Sequence, residues 1–358
     1  MEKSFLLTGE SQKWYDTTDF ILMMRERNIA MSKVLSGVRA AARRYPIATS
    51  VLICALFYGA ALVYGLISLL FFPSGMGEYT SLLSQEFFLA FVAVGLLFLL
   101  GLSDVLRARG THFFGGLGTG AYFLVLAYIN LLFQIISILV TFLTAESAPV
   151  LTPPQEWIAF LLLMPMIGIA EEFFFRGMIA ELFFRKYAKD AYGVWTATIA
   201  SGVFFGLIHL TNLRSDTVPG VFVQCASACF MGMALSAVYY RSRNIWVVVF
   251  LHAFIDFSAL LESAVISSSS IAETIGSYSF VQMLSLLQYL LVTLVLLRPR
   301  KVSAILSAPH PENGSAQTKD AKNLRAFSIA VGAAALLYLV MVALFILTAK
   351  DPFAFLKM

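Results

Sequence analysis

The chain has 358 residues, of which 59% are hydrophobic and only 13% are charged. A soluble domain cannot bury so large an apolar fraction, so the composition predicts a polytopic membrane protein. The net charge of +4 comes without a basic block interleaved with aromatic residues, so no nucleic acid partner is expected. The three cysteines, Cys54, Cys225 and Cys229, fall in apolar segments, which argues against a disulfide framework or a zinc–cysteine cluster.

The first 45 residues are predicted to be a cytoplasmic leader that ends in an amphipathic helix. Between residues 28 and 45, apolar positions such as Ile29, Val34 and Val38 recur at helical spacing among basic residues. Such a helix is typical of one that lies on the anionic cytoplasmic leaflet of a membrane. A solvated basic leader is the alternative interpretation.

Nine apolar segments approach the roughly 20 helical residues that are needed to cross a bilayer. They lie near residues 46–72, 86–103, 113–143, 156–184, 192–211, 219–240, 244–261, 278–297 and 326–349. The predicted fold is therefore an all-α transmembrane helical bundle of eight to nine spans. The predicted parts are the leader (1–45), three N-terminal helices (46–143), a core rich in intramembrane polar residues (156–261), a further helix (278–297), a cytoplasmic linker (298–325) and a C-terminal helix (326–349).

The positions of lysine and arginine predict the orientation. The N-terminus and the loops on its side carry 21 of the 25 basic residues, and the opposite side carries 3. The remaining one is Arg176, inside the fourth span. Because basic loops stay in the cytoplasm, this asymmetry predicts a cytoplasmic N-terminus and an external C-terminus.

Ionisable residues inside membrane spans are rare and mark functional sites by default. In this chain they concentrate in the fourth, fifth and seventh predicted spans. They are Glu171, Glu172, Arg176, Glu181, His209, His252 and Asp256. Side chains of this kind turn inward and partner one another in lipid, which predicts one shared polar site. Glu181 lies near the cytoplasmic end of its span and is interpreted as an interfacial charge.

Helix geometry separates the two adjacent glutamates. Glu172 and Arg176 are four residues apart and share a face in the favourable acid-before-base order, so they are predicted to form a structural ion pair. Glu171 is rotated by about 100° from Glu172 and lacks that partner, which makes it the better candidate for a general base. His252 and Asp256 are also four apart on one face.

Three motifs in this core resemble those of the CAAX-protease and bacteriocin-processing family, also called the Abi family. "EEFFFR" (171–176) resembles its EExxxR motif, "FGLIH" (205–209) its FxxxH motif, and "HAFID" (252–256) its HxxxN or HxxxD motif. The resemblance covers residues from about 157 to 261, and "FGLIHLTN" is similar to the wording of prokaryotic members.

The resemblance implies an intramembrane protease with a water-accessible polar cavity. Glu171 and His209 would activate a water molecule, and His252 with Asp256 would stabilise the oxyanion. Glu172 and Arg176 would shape the cavity, and Phe205 would help to form its wall. An ionised Asp256 cannot donate a hydrogen bond, so it is either protonated or accepts from His252 and holds that ring as the donor.

The metal content stays open at this stage. No cofactor is firmly expected, but Glu171, His209 and His252 form an alternative zinc-ligand set of the two-histidine, one-glutamate kind. The chain has no HExxH motif, and the sequence does not decide between the two mechanisms.

The predicted substrate is a peptide or membrane-anchored protein, and the predicted location is the plasma membrane of a prokaryotic cell. Two other functions use the same residues: a proton- or ion-coupled transporter and a non-catalytic immunity or scaffold protein. Helix rise places Glu171 near mid-membrane, His252 towards the cytoplasm and His209 towards the outer surface. A shared site therefore requires tilted or staggered helices.

Overall fold

A computed structural model describes residues 3–4, 15–72, 75–108, 110–214, 217–267, 270–276, 287–308 and 321–349. This part of the chain is almost entirely helical, which confirms the predicted all-α fold. The exceptions are the two-residue strands Lys3–Ser4 and Tyr15–Asp16, which pair antiparallel, and an isolated bridge between Leu151 and Ile266.

The helices are numbered α1 to α14 in chain order. They are Thr17–Arg44, Pro46–Phe71, Glu78–Leu100, Phe113–Thr119, Ala121–Thr144, Pro154–Phe174, Glu181–Tyr187, Ala191–Ile208, Val218–Ser242, Ile245–Val265, Ile271–Gly276, Leu287–Leu296, Pro299–Ser307 and Ala321–Thr348. A π-helical turn, Phe175–Ala180, joins α6 to α7, and 3-10 turns cover Ser103–Arg107 and His209–Arg214.

Eight helical segments of the described chain are long and apolar enough to cross a membrane. They are Pro46–Phe71, Glu78–Leu100, Ala121–Thr144, Pro154–Tyr187, Ala191–Leu213, Val218–Ser242, Ile245–Val265 and Lys322–Thr348. The helix α12 is apolar but shorter, and most of the first half of the span predicted at 278–297 lies outside the described residues. Residues 309–320 of the predicted linker and residues 1–2 and 5–14 of the predicted leader also lie outside them.

The amphipathic helix predicted from residue 28 is the second half of a longer helix, α1. Its side chains Ile29, Met31, Val34 and Val38 are exposed by 50%, 59%, 65% and 37%. An apolar stripe this exposed fits a helix that lies on a membrane surface, and this placement remains a prediction.

The bundle has a buried centre and an apolar exterior. In the apolar window of α9, 83% of the residues are buried, against 17% in that of α2. Because lipid rather than water surrounds the outer helices, their exposed apolar side chains are expected. The centre is where α8 packs on α9 and where α6 packs on both α3 and α10.

Two glycines let the central helices approach closely. A Cβ atom added to Gly168 would lie 2.6 Å from the carbonyl oxygen of Val249, and one added to Gly206 would lie 2.7 Å from that of Cys225. Both distances are shorter than a real contact, so larger residues would push α6 from α10 and α8 from α9. The close packing brings the polar residues of these helices within reach of one another.

One end of the bundle, here called the basic end, is held by ion pairs of arginine. Arg185 donates to both oxygens of Asp104 at 2.8 and 2.9 Å, and Arg243 donates to Glu181 at 2.8 and 2.9 Å. Lys186 donates to the main-chain carbonyl at the end of α1. These contacts tie α7 to the 3-10 turn after α3, to the end of α1 and to the loop before α10.

The opposite end, here called the acidic end, is held by carboxylates. Glu156 accepts from the backbone N–H of Tyr79 at 2.8 Å, Glu78 accepts from the N–H of Ile271 at 3.0 Å, and Glu262 binds the Ser137 hydroxyl at 2.8 Å. Oxygen acceptors placed at the first N–H groups of a helix satisfy donors that have no partner within it. The two ends therefore differ in their contacts: carboxylates bind arginine at the basic end and neutral N–H and O–H donors at the acidic end.

Candidate active site

A cavity of about 360 Å³ lies among α2, α3, α6, α8, α9 and α10, in the half of the bundle nearer the acidic end. Its polar and ionisable lining includes Gln85, Glu86, Glu171, His209, Thr211, Asn212, Gln224, His252 and Asp256. The cavity continues towards the acidic end past Ala259, Leu260 and Ile271. Four residues of the sequence motifs therefore line one cavity: Glu171, His209, His252 and Asp256.

Glu171 faces this cavity with few partners. Its side chain is 25% exposed, and its Oε2 lies 3.7 Å from Nε2 of His252. No other ion pair of Glu171 occurs within the described part of the chain. A carboxylate held this loosely is free to accept a proton from a ligand.

Glu172 points away from the cavity into the protein. Its Oε1 accepts from Nη1 of Arg176 at 2.7 Å and from Nδ1 of His252 at 2.7 Å. Glu172 and Arg176 are fully buried. The ion pair expected from their spacing is present, and the bond to His252 is an addition that the sequence did not suggest. Glu172 is therefore the residue that fixes the ring of His252.

Phe205 lies behind the two histidines rather than among the residues that line the cavity. Its ring packs edge-on to His209 and His252, with centroids 5.0 and 5.7 Å apart. On another side, the guanidinium of Arg176 sits 4.4 Å from the centroid of the ring, a cation–π contact. One aromatic ring thus positions three of the polar groups.

His209 is the first residue of the 3-10 turn that follows α8. Its Nδ1 lies 2.7 Å from the carbonyl oxygen of Phe205. A carbonyl oxygen can only accept, so Nδ1 must carry a proton, and in the neutral ring Nε2 is then the nitrogen with a free lone pair. The backbone therefore leaves Nε2 of His209 able to accept a proton.

His252 and Asp256 occupy successive turns of α10. Nε2 of His252 lies 3.5 Å from Oδ2 of Asp256, which is longer than a normal hydrogen bond. The 2.7 Å bond to Glu172 is the stronger restraint on the ring. Of the two alternatives for Asp256, protonation or acceptance of a bond from His252, neither is decided by this distance, and Glu172 is a further residue that fixes the ring.

The length of one helix explains how Glu171 and His209 can meet although the sequence placed them at different depths in the membrane. The segment Pro154–Tyr187 is a continuous run of 34 helical residues, about 51 Å at 1.5 Å per residue. This exceeds the roughly 30 Å of a bilayer's hydrocarbon core, so the middle of the helix need not lie at mid-membrane. Glu171 can therefore line the same cavity as His209, which ends its own shorter helix.

Glu181 does not match its prediction as an interfacial charge. It is only 1% exposed and accepts hydrogen bonds from Arg185, Arg243 and the Tyr239 hydroxyl. Glu181 and Arg243 are 62 residues apart in the chain, so helical spacing could not predict their contact. Glu181 is the centre of the ion-pair network at the basic end.

Glu86 is a cavity residue that sequence reasoning missed. The predicted span began at residue 86, which placed this carboxylate at a span boundary, where charges are common. The helix α3 in fact begins at Glu78, so Glu86 lies two turns inside it. A longer second span would have revealed a further intramembrane carboxylate.

The alternative zinc set consists of Glu171, His209 and His252. No three His, Cys, Asp or Glu side chains of the described residues are placed so that they could hold a metal ion together. In both histidines Nδ1 is bonded, to Phe205 and to Glu172, which leaves Nε2 as the nitrogen that faces the cavity; these bonds by themselves do not argue against a metal. As they are arranged, these three residues do not fit a metal site.

Residues 153–258 match the family described as "type II CAAX prenyl endopeptidase Rce1-like". This segment is a CAAX protease domain of that type, and it supports membership of the CAAX protease family. The matched segment contains all three motifs and covers α6 to most of α10, while α3 and Glu86 lie outside it. The members of this family are proteases, and the eight apolar helices support an integral membrane protein. No curated protein and no solved structure matches the chain significantly.

Proposed function

We propose that the protein is an intramembrane endopeptidase that hydrolyses a peptide bond in a membrane-proximal peptide or membrane-anchored protein. The observation that carries this proposal is the shared cavity of Glu171, His209, His252 and Asp256. A loosely held carboxylate beside two positioned imidazole rings is a set of groups suited to acid–base catalysis.

In the proposed reaction, Glu171 and Nε2 of His209 bind one water molecule and orient it towards the scissile carbonyl. Glu171 takes a proton from this water as its oxygen forms a bond with the carbonyl carbon. The protonated Glu171 then gives the proton to the leaving nitrogen as the carbon–nitrogen bond breaks. The products are a new carboxyl group and a new amine.

The negative charge on the carbonyl oxygen needs a donor, and His252 supplies it. When its ring is protonated, Nδ1–H donates to Glu172 and Nε2–H is left for the oxyanion. Asp256 lies 3.5 Å from the same Nε2. Its role in the proposal is to act on this ring electrostatically, since an ionised carboxylate would repel an oxyanion.

The two ends of the bundle support a side of access. In bacterial membranes, loops rich in lysine and arginine stay on the cytoplasmic side. In the proposal, the basic end therefore faces the cytoplasm. The cavity lies towards the other end, so the substrate reaches it from outside the cytoplasm. Together with the prokaryotic wording of "FGLIHLTN", this points to a plasma membrane enzyme that acts on exported or surface-anchored peptides.

The test is cleavage of a peptide library by purified protein in lipid nanodiscs. Wild type, Glu171→Gln, His209→Ala and the control Glu146→Gln are compared; Glu146 is an exposed carboxylate in the loop before α6, outside the cavity. We expect cleavage by wild type and by the control and a near-complete loss in the other two. Equal cleavage by all four proteins would overturn the roles of Glu171 and His209.

Absence of cleavage in wild type would favour the other functions. Ion flux into liposomes that is lost in Glu171→Gln would indicate a transporter. A partner phenotype that survives Glu171→Gln would indicate a non-catalytic immunity or scaffold protein.

A further inference from the structure

The helix α3 brings Glu86 to the candidate active site from outside the matched protease segment. Glu86 lines the same cavity as Glu171 and Asp256 and is partly buried. Gln85, Glu171, His252 and Asp256 line the cavity with it. No cation pairs with it among the described residues.

The cavity as a whole has the same imbalance. Three carboxylates line it, Glu86, Glu171 and Asp256, together with two histidines, so a protonated His252 balances at most one of the three negative charges. Among its described lining residues none is lysine or arginine. The nearest guanidinium, that of Arg176, is bound to Glu172 and covered by Phe205, so it does not neutralise the cavity.

Neighbouring carboxylates in a space of low polarity repel one another and lose hydration. A positive group that enters the cavity removes both penalties at once, whereas an acidic group increases them. Cavities lined by one sign of charge also concentrate ligands of the opposite sign. The chemistry of the cavity therefore favours a substrate that is cationic near the bond to be cleaved.

We infer that Glu86 is a specificity residue that binds a lysine or arginine side chain of the substrate next to the scissile bond. This inference rests on the proposed function. Glu171, within 3.7 Å of His252, performs the acid–base chemistry, and Glu86, on a different helix, pairs with the substrate's cation.

The experiment uses N-acetylated peptides, so that the cation is a side chain and not the amino terminus. A sequence cleaved in the library is remade in pairs that carry lysine or the uncharged norleucine at each position flanking the bond. The measured quantity is the ratio of kcat/KM for the lysine peptide to kcat/KM for the norleucine peptide. Wild type, Glu86→Gln, Glu86→Lys and the control Glu146→Gln are compared.

At one position, we expect wild type and Glu146→Gln to prefer lysine by about tenfold or more. The ratio should fall to near one in Glu86→Gln, and Glu86→Lys should prefer norleucine. A lysine preference that persists in Glu86→Gln, or no preference in wild type, overturns the inference while leaving the proposed function intact. Cleavage of no peptide at all overturns the proposed function instead.

Two further outcomes are distinguishable. An equal loss of kcat on both peptides in Glu86→Gln, with the ratio unchanged, would place Glu86 in the chemistry and overturn the assignment to specificity. If Glu86→Gln does not fold, Glu86→Asp, which keeps the charge, is measured. It should retain a preference for lysine, and a ratio of one in folded Glu86→Asp would contradict the inference.

Discussion

Glu171 and Glu181 lie on one continuous helix and have opposite surroundings. Glu181, at the basic end, is 1% exposed and bound by Arg185 at 2.8 Å and by Arg243 at 2.8 and 2.9 Å. Glu171, ten residues earlier in the printed sequence, is 25% exposed to a cavity and has one ionic neighbour, His252, at 3.7 Å. The carboxylate oxygens of Glu181 are thus all bound, whereas those of Glu171 are nearly free.

The difference separates structural from functional carboxylates in this membrane protein. A buried carboxylate whose oxygens are all bound to arginine is fixed by its partners and has no capacity left for a ligand. A carboxylate with unfilled acceptor sites that faces a cavity can take a proton from a ligand. Glu172 is a third case. It is fully buried and bound to Arg176, and it also fixes the ring of His252 in the candidate site.

The largest effect on turnover is expected for Glu171→Gln. Glutamine has nearly the same shape but cannot accept the proton of the attacking water, and general base catalysis contributes about 10² to 10⁴ in rate. We expect kcat to fall by about 10³-fold while the melting temperature stays within a few degrees of wild type. A folded variant with wild-type kcat would show that Glu171 and Glu181 do not differ in the way described.

Glu172→Gln should have an intermediate effect. The loss of the charged acceptor weakens the bond that orients His252, and a misplacement of about 1 Å in a catalytic group can lower the rate by about 10²-fold. We expect kcat to fall by about this factor and the melting temperature to fall as well, because Arg176 loses its ionic partner. An unchanged kcat in the folded fraction would remove Glu172 from the positioning of His252.

Glu181→Gln should change stability and leave turnover alone. Removing one charged member of a buried pair costs about 3 to 5 kcal/mol, and we expect about 3 kcal/mol because Arg243 is 22% exposed and glutamine still accepts. Unfolding in a denaturing detergent measures this, with Glu146→Gln as the surface control. Loss of kcat per folded molecule would contradict a purely structural role.

The smallest expected effect is that of a chelator. Because Glu171, His209 and His252 are not arranged to hold zinc, we expect activity to survive dialysis against a strong chelator, with no stoichiometric metal in active protein. Loss of activity on chelation and recovery with zinc would require a different arrangement of these three side chains.

Much of the candidate site could be predicted from the spacing of residues along single helices. The contact of Glu172 with Arg176, the separation of Glu171 from it and the proximity of His252 to Asp256 all follow from four-residue periodicity on one helix. The helical bundle itself follows from long apolar runs. These features need no knowledge of which helices are neighbours.

The features that the sequence did not predict depend on contacts between helices. The bond of Glu172 to His252 and the contacts of Glu181 with Arg243 join residues that are far apart in the chain. Glu86 was missed for a different reason, since charges are common at span boundaries and the start of α3 was placed eight residues too late. Packing at Gly168, which has no long-range signal in a single sequence, decides which faces meet.

The central claim is that Glu171 and His209 direct water onto a peptide bond. The most direct test is peptide cleavage in water labelled with heavy oxygen, followed by mass spectrometry of both fragments. The double variant Glu171→Gln, His209→Ala is the background. The account predicts one heavy oxygen in the new carboxyl group of the wild-type product and almost no product from the double variant. Equal amounts of labelled product from both proteins would contradict it.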